Sequence, residues 1–250
     1  MLKNKKYIVF GANGLIGKSI VDMILSYDAK VIALDINLNQ LKLDFSDQMK
    51  SGHLLAYEID INSEDDVWNI LNQNKDTSGA VNATYPRNSS YGSKLEYVTL
   101  ESFNENTSLL LGSSFVFIKS FIKFFNITKK PISLINMSSI YGVVPPHFEL
   151  YDGTDMTMPV EYAASKSGII HLTKYAVKYV NNQNFRMNCV SPGGVATGQD
   201  ERFVERYKQK TTGSGLLNPT EIAETISFLL SDKSLKINGQ NLIIDDGFSL

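Results

Sequence analysis

Residues 7–35 read YIVFGANGLIGKSIVDMILSYDAKVIALD, and this stretch decides the fold. Tyr7–Phe10 is a short apolar run of the kind that forms a buried strand. It enters a turn with glycines at 11, 14 and 17. Apolar residues Leu15, Ile16, Ile20, Met23 and Ile24 then recur at helical spacing. A second apolar run, Lys30–Leu34, ends in Asp35. Strand, glycine turn, helix, strand and acid together form the setting of a dinucleotide-binding βαβ unit. Gly11 permits the tight turn, Gly14 lets the backbone approach a pyrophosphate, and Gly17 lets helix and strand pack closely. The open N–H groups of the first helical turn then face the phosphates. Asp35 follows Gly17 by 18 residues. A carboxylate there accepts hydrogen bonds from the adenosine ribose and repels a 2′-phosphate. No Lys or Arg follows Asp35 closely, so NAD(H) is favoured over NADP(H).

The same alternation runs through the chain. Further strands are expected at Leu54–Ile59, Gly79–Thr84, Ile132–Met137, Arg186–Val190 and Asn241–Ile244. Helices are expected over Gln40–Lys50, Glu64–Asn72, Leu100–Phe125, Tyr162–Val180, Gln199–Lys210 and Thr220–Leu230, the last opened by Pro219 at its first position. Continuous apolar strands separated by helices mean a parallel sheet covered on both faces. The fold class is therefore α/β. It is a single-domain Rossmann fold over residues 1–250, with a doubly wound seven-stranded parallel sheet. No internal repeat or linker composition interrupts it.

The 250 residues carry a formal net charge of −2, with 43% hydrophobic and 20% charged residues. That balance builds a large core and gives no broad attraction to nucleic acid or an anionic membrane. Cys189 is the single cysteine, so no disulfide forms within the chain, and a reducing cytoplasm fits. The apolar run after the N-terminal lysines is too short for a signal sequence, and no membrane-crossing segment is expected. No metal site is expected.

The chemistry is expected between Asn136 and Lys174. A strand ends in Ser138–Ser139, a Pro-, Gly- and Met-rich loop follows, and a helix then carries Tyr162 and Lys166 four residues apart. That spacing places both side chains on one helix face. A free phenol titrates near about 10, and an adjacent positive charge favours the phenolate. The loop after the fourth strand, YPRNSSYGSK, contains Arg87, a candidate partner for a substrate anion.

GANGLIG, Asp35, Asp60–Ile61, Asn82, SSIYG, Tyr162–Lys166, SPGGVAT and the tail INGQNLIIDDG together resemble the short-chain dehydrogenase/reductase family along the whole chain. The resemblance implies Tyr162 as catalytic acid/base. Lys166 would lower its pKa and bind the nicotinamide ribose, and Ser139 would orient the substrate oxygen. It implies that Gly11, Asn13, Gly14, Ile16 and Gly17 hold the pyrophosphate and that Asp35 holds the ribose. Asp60 and Ile61 would hold the adenine, Asn82 the loop wall, and Pro192, Gly193, Val195 and Thr197 the nicotinamide end. A homodimer or homotetramer is the family's usual assembly, in keeping with the apolar Leu100–Phe125 and Tyr162–Val180 helices.

Four departures stand out. The glycines are spaced GxxGxxG, as in the extended branch of the family. Phe10 replaces the usual threonine. Tyr85 replaces the last glycine of the usual NNAG. Asn106 lies one turn before Leu110, the position where the family's proton-relay asparagine aligns. Ser139 and Tyr162 are 23 residues apart, more than is usual, and the intervening loop brings His147 and Tyr151 forward with Tyr85 and Arg87 as substrate contacts. YPRN, SSIYGV, DGTDMTMPVEYAASKSGIIHLTKY and DDGFSL also resemble the flagellin-modification oxidoreductases, the PtmA group. That likeness implies a small substrate of the sugar or sugar-phosphate class in surface-glycan (nonulosonate) biosynthesis. The glycine spacing leaves open an NAD-retaining epimerase or dehydratase, and a non-catalytic dinucleotide-binding protein is the reading outside enzymes.

Overall fold

A computed structural model describes residues 1–250. Its strands are β1 (Lys6–Phe10), β2 (Lys30–Asp35), β3 (Leu54–Glu58), β4 (Gly79–Asn82), β5 (Ile132–Met137), β6 (Phe185–Pro192) and β7 (Asn241–Ile244). All seven join one sheet in the order β3-β2-β1-β4-β5-β6-β7, and every pairing is parallel. The helices are α1 (Leu15–Ser26), α2 (Asn39–Asp44), α3 (Ser46–Lys50), α4 (Glu64–Gln73), α5 (Leu100–Thr128), α6 (Val160–Val180), α7 (Glu201–Gln209) and α8 (Pro219–Leu230).

Strand periodicity assigns the two faces. Tyr7 and Val9 of β1 join a core with Ile20, Val21 and Ile24 of α1 and Ile222 and Ile226 of α8. Ile8 and Phe10 point the other way, into a core with Ile70 and Leu71 of α4 and Phe117, Phe121 and Phe125 of α5. Burial of each such Ile or Phe contributes about 1.5–3 kcal/mol. Sequence order reverses between β1 and β4, and the cleft above their carboxyl ends is where ligands bind in open α/β sheets.

Several expected boundaries differ, and three of the differences have a clear physical reason. The helix foreseen over Gln40–Lys50 is two short helices, α2 and α3, separated at Phe45, whose ring is buried in the α1/α8-side core. The strand foreseen to Thr84 ends at Asn82, because the Asn82 Oδ1 accepts hydrogen bonds from Thr84 N and Oγ1 and turns the chain. The sixth strand is longer than foreseen, Phe185–Pro192, and buried throughout. Within it Arg186 donates to four carbonyls, Leu229, Ser231, Ser234 and Ile237, and so closes the end of α8.

Helix α5 is long and apolar enough to cross a membrane by length and composition alone. In this fold its Phe117, Phe121, Phe124 and Phe125 are buried against the sheet. A third cluster, Ile140, Tyr141, Leu150, Tyr151, Phe203, Tyr207 and Phe248, lies under the long loop and α7.

Candidate active site

A cavity of about 850 Å³ opens above the carboxyl ends of the strands. Gly11, Asn13, Gly14, Ile16, Gly17, Asp35, Asp60 and Ile61 line one end. Tyr85, Arg87, Tyr162, Lys166, Pro192, Gly193, Val195 and Thr197 line the other. These are the residues the sequence nominates for both ends of a dinucleotide, now in one continuous space. Phe10, Leu15, Leu34, Ile36, Asn37, Ile59, Ala83, Thr84, Pro86, Met137 and Ser138 complete the wall. Sequence reasoning missed these because they are ordinary apolar or small residues, assigned only by their place at strand ends.

The glycine turn divides into two kinds of requirement. Gly11 has φ +74°, and a Cβ there would lie 2.7 Å from the Ala83 backbone. A Cβ at Gly17 would collide with the Gly11 carbonyl, 2.8 Å from its carbon. Both are demanded by the protein's own packing. Gly14 is different, since its Cβ would meet only the Gly11 oxygen, at 3.3 Å. Gly14 also caps α1 with no side-chain hydrogen bond, and the first turn of α1 contains no acid. Its N–H groups are thus open to an anion. Asn13 Oδ1 is buried without a partner, while Asn13 N donates to Asp35 Oδ2 at 2.9 Å. This bond fixes the Asp35 carboxylate at the wall. A dinucleotide fits these features: an open helix terminus for phosphate, a fixed acid for ribose and an elongated cavity between them.

At the other end, β5 delivers Ser138 and Ser139. Ser138 Oγ donates to the Lys166 carbonyl at 2.8 Å. Gly142 lies so close that a Cβ would be 2.7 Å from the Lys166 backbone. These two contacts clamp the end of β5 onto α6 and bring Ser139 beside Tyr162. Ser139 is buried, and its Oγ accepts from Tyr141 N at 3.2 Å. Lys166 is 5% exposed and donates to the Met137 carbonyl at 2.8 Å. Its ammonium lies 5.5 Å from the centre of the Tyr162 ring.

Burial dominates the titration of both groups. It pushes the Tyr162 phenol up, and the neighbouring Ser139 hydroxyl pulls the other way. It pushes the Lys166 amine down to about 8. In the free protein burial therefore sets the direction at Tyr162, and the group that lowers its pKa is Ser139.

Five nominated residues are off the cavity wall: Asn82, Asn106, His147, Tyr151 and Ser139, the last buried beside Tyr162 and next to the wall residue Ser138. Asn82 is buried behind it, donating to Ser114 Oγ and Asn136 Oδ1, and its carbonyl oxygen shapes the wall through Thr84. Asn106 corrects the relay expectation. It is fully buried, its Oδ1 accepts from Asn88 N, and its Nδ2 donates to Asn88 Oδ1, Ser90 Oγ and the Ser102 carbonyl. Every polar atom of Asn106 is spent on holding the loop that carries Tyr85 and Arg87. His147 and Tyr151, nominated as substrate contacts, belong instead to the packing of the long loop. The His147 ring meets Phe248 at 5.5 Å, and Tyr151 is buried, stacked on Phe203 and donating to the Tyr141 hydroxyl. Arg206 of α7 fastens the same loop through the carbonyls of Glu149, Leu150 and Asp152.

Tyr85 does reach the site. Its ring meets Tyr162 edge to face at 5.5 Å, and its hydroxyl is hydrogen-bonded to that of Tyr91. The Arg87 guanidinium stacks 4.6 Å from the Tyr85 ring centre.

A serine, a tyrosine and a buried lysine at one end of a dinucleotide-shaped cleft can move a proton beside a hydride acceptor. Comparison with known proteins agrees. The family model described as enoyl-(acyl carrier protein) reductase matches residues 11–249. The chain belongs to the short-chain dehydrogenase/reductase family. It is thus an oxidoreductase of that family. It is 35% identical to "Post-translational flagellin modification protein A" of Campylobacter coli, over 100% of both chains. Among solved short-chain dehydrogenase/reductase structures, one from Leptospira borgpetersenii with bound NAD+ superposes with TM-score 0.88 at 30% identity. It covers 100% of this chain and 94% of the other. A 4-hydroxyisoleucine dehydrogenase complexed with NADH gives TM-score 0.83 at 25% identity, covering 98% of this chain and 99% of the other.

Proposed function

We propose that the protein is an NAD(H)-dependent dehydrogenase/reductase that interconverts an alcohol and a carbonyl on a small polar substrate of the sugar or sugar-phosphate class. The observation that carries this reading is the convergence of Ser139, Tyr162 and Lys166 at the end of the cleft opposite Asp35. NAD(H), when bound, supplies or takes the hydride. Gly14 and the first turn of α1 hold its phosphates, the Asp35 carboxylate takes the adenosine ribose, and Asp60 and Ile61 bracket the adenine. Lys166 donates to the nicotinamide ribose, and Thr197 with Pro192, Gly193 and Val195 closes that end.

Ser139 holds the substrate oxygen by a hydrogen bond. Tyr162 gives or takes the proton at that oxygen as the hydride moves. The positive charges of Lys166 and of the oxidised nicotinamide ring offset the desolvation that raises the phenol in the free protein. Arg87 at the rim pairs with a substrate anion. The full-length likeness to the flagellin modification protein supports a place in surface-glycan biosynthesis. Exposed Phe115, Tyr175 and Tyr179 on the outer faces of α5 and α6 support a homo-oligomer built on those helices.

NAD and NADP turnover should be compared across polyols, sugar phosphates and nucleotide sugars. NAD should be preferred, and Asp35→Ser should erase that preference by admitting the 2′-phosphate. An unchanged preference in the variant contradicts the role given to Asp35. Absence of hydride transfer with every substrate class contradicts the activity.

A further inference from the structure

Residues 193–197 leave the end of β6 and pair in parallel with Leu217 at Val195. They alternate as a strand does. Gly193, Val195 and Thr197 line the cavity, while Gly194 and Ala196 do not. The backbone of this segment is held from several sides. Gly193 N donates to the Ile244 carbonyl at 2.8 Å, Ala196 N donates to the Leu217 carbonyl at 3.0 Å, and the Gly194 carbonyl accepts from Leu217 N at 2.8 Å. Gln199 Oε1 accepts from Thr197 N at 2.8 Å. Gly194 N alone finds its partner on a distant side chain: it donates to the Tyr207 hydroxyl, on α7, at 2.6 Å. Of these five N–H groups, only that of Val195 has no partner in the protein.

Tyr207 is 1% exposed. Its ring stacks on Phe248 at 4.5 Å and packs against Phe203 at 5.7 Å, within the third cluster that also holds Tyr141 and Tyr151. Tyr162 packs against the same cluster. Two glycines let Tyr207 close on the segment. A Cβ at Gly193 would lie 2.6 Å from the Tyr207 hydroxyl, and one at Gly194 would lie 3.0 Å from its ring. A buried phenol held between two aromatic rings is a fixed acceptor, and without it the Gly194 N–H would be left unpaired. One body of side chains therefore touches Tyr162 and, through one hydroxyl, the segment that lines the same cavity.

We propose that Tyr207 is a positioning residue for the reactive end of the cofactor. Its hydroxyl sets the path of residues 193–197, and so the wall against which a nicotinamide ring lies. The inference rests on the NAD(H) reading of the cleft and goes beyond it, because Tyr207 itself is not on the cavity wall. It also ties that wall to α7 and the long loop, which share the cluster.

The test is calorimetric titration of NAD and of ADP-ribose into the wild type, Tyr207→Phe and Phe203→Leu. ADP-ribose has every part of NAD except the nicotinamide ring. Tyr207→Phe keeps the ring in its stack and removes the acceptor. NAD affinity should fall about tenfold, the worth of one hydrogen bond, with ADP-ribose affinity kept within about twofold. Phe203→Leu loosens the same cluster and spares the hydroxyl. Its melting temperature should fall, but its ratio of NAD to ADP-ribose affinity should stay at the wild-type value. Unchanged NAD affinity in Tyr207→Phe, an equal loss of both ligands, or the same change of ratio in Phe203→Leu each overturn the inference. A wild type that binds neither ligand overturns the cofactor reading and the inference with it. Should Tyr207→Phe fail to fold, amide exchange in the wild type decides. Gly194 should be protected without ligand, and Val195 should gain protection with NAD but not with ADP-ribose. Fast exchange at Gly194, or no NAD-specific change at Val195, overturns the inference.

Discussion

Lys166 offers a prediction with a calculable size. Burial takes its amine from an ordinary 10.5 to about 8, and its single hydrogen bond goes to the neutral carbonyl of Met137. Between about pH 8 and pH 10.5 the unfolded chain keeps the proton that the folded chain has released. Stability then rises with pH across that window, because the unfolded state binds more protons. Below about pH 8 the folded protein bears the full penalty of a buried charge. The gap corresponds to about 3 kcal/mol, at about 1.4 kcal/mol for each tenfold in proton affinity. Lys166→Met removes the titration and keeps most of the volume. Urea unfolding of both proteins without cofactor, from about pH 7.5 to about pH 10.5, isolates the effect as a difference that other lysines and tyrosines do not enter. At a slope of about 3 kcal/mol per molar urea, the wild-type midpoint should gain about 1 M on the variant across the window. A flat difference, or one in which the wild type loses ground as pH rises, refutes the claim that the amine is buried without a counter-charge.

Two further substitutions separate roles that the sequence merges. Gly17→Ala forces a methyl into the Gly11 carbonyl and should cost about 1–3 kcal/mol or more in unfolding free energy. Gly14→Ala should leave stability within about 1 kcal/mol and weaken NAD binding, read by titration of the cofactor. Asn106→Ala strips the hydrogen bonds that fix Asn88 and Ser90 and should cost about 1–3 kcal/mol. It should raise KM with kcat kept, whereas a proton-relay residue would lower kcat with KM kept.

The doubly wound sheet was legible because its signal is local. Apolar runs of strand length, a glycine turn and an acid at the next strand end are all written within residues 7–35. That the glycine turn and Asp35 line one cleft was legible for the same reason. What escaped was set by contacts between distant segments. Phe45 broke an expected helix because its ring found the core on the α1/α8 side. His147 and Tyr151 have the chemistry of substrate contacts, but Phe248 and Phe203, from other segments, take them into the packing of the loop. Asn106 has the amide a relay needs, yet a loop 18 residues earlier saturates it. Glu161 sits directly before Tyr162 in sequence, and nothing there shows that its carboxylate is buried without a donor.

Hydride transfer by Tyr162→Phe tests the central claim most directly. NADH absorbance should be followed in a single turnover with saturating cofactor and whichever substrate the wild type accepts. Cofactor binding should be preserved and the rate should fall by about 10²–10⁴, the contribution of a positioned acid/base. A variant that transfers hydride at the wild-type rate would remove Tyr162 from the chemistry and contradict the account of this site.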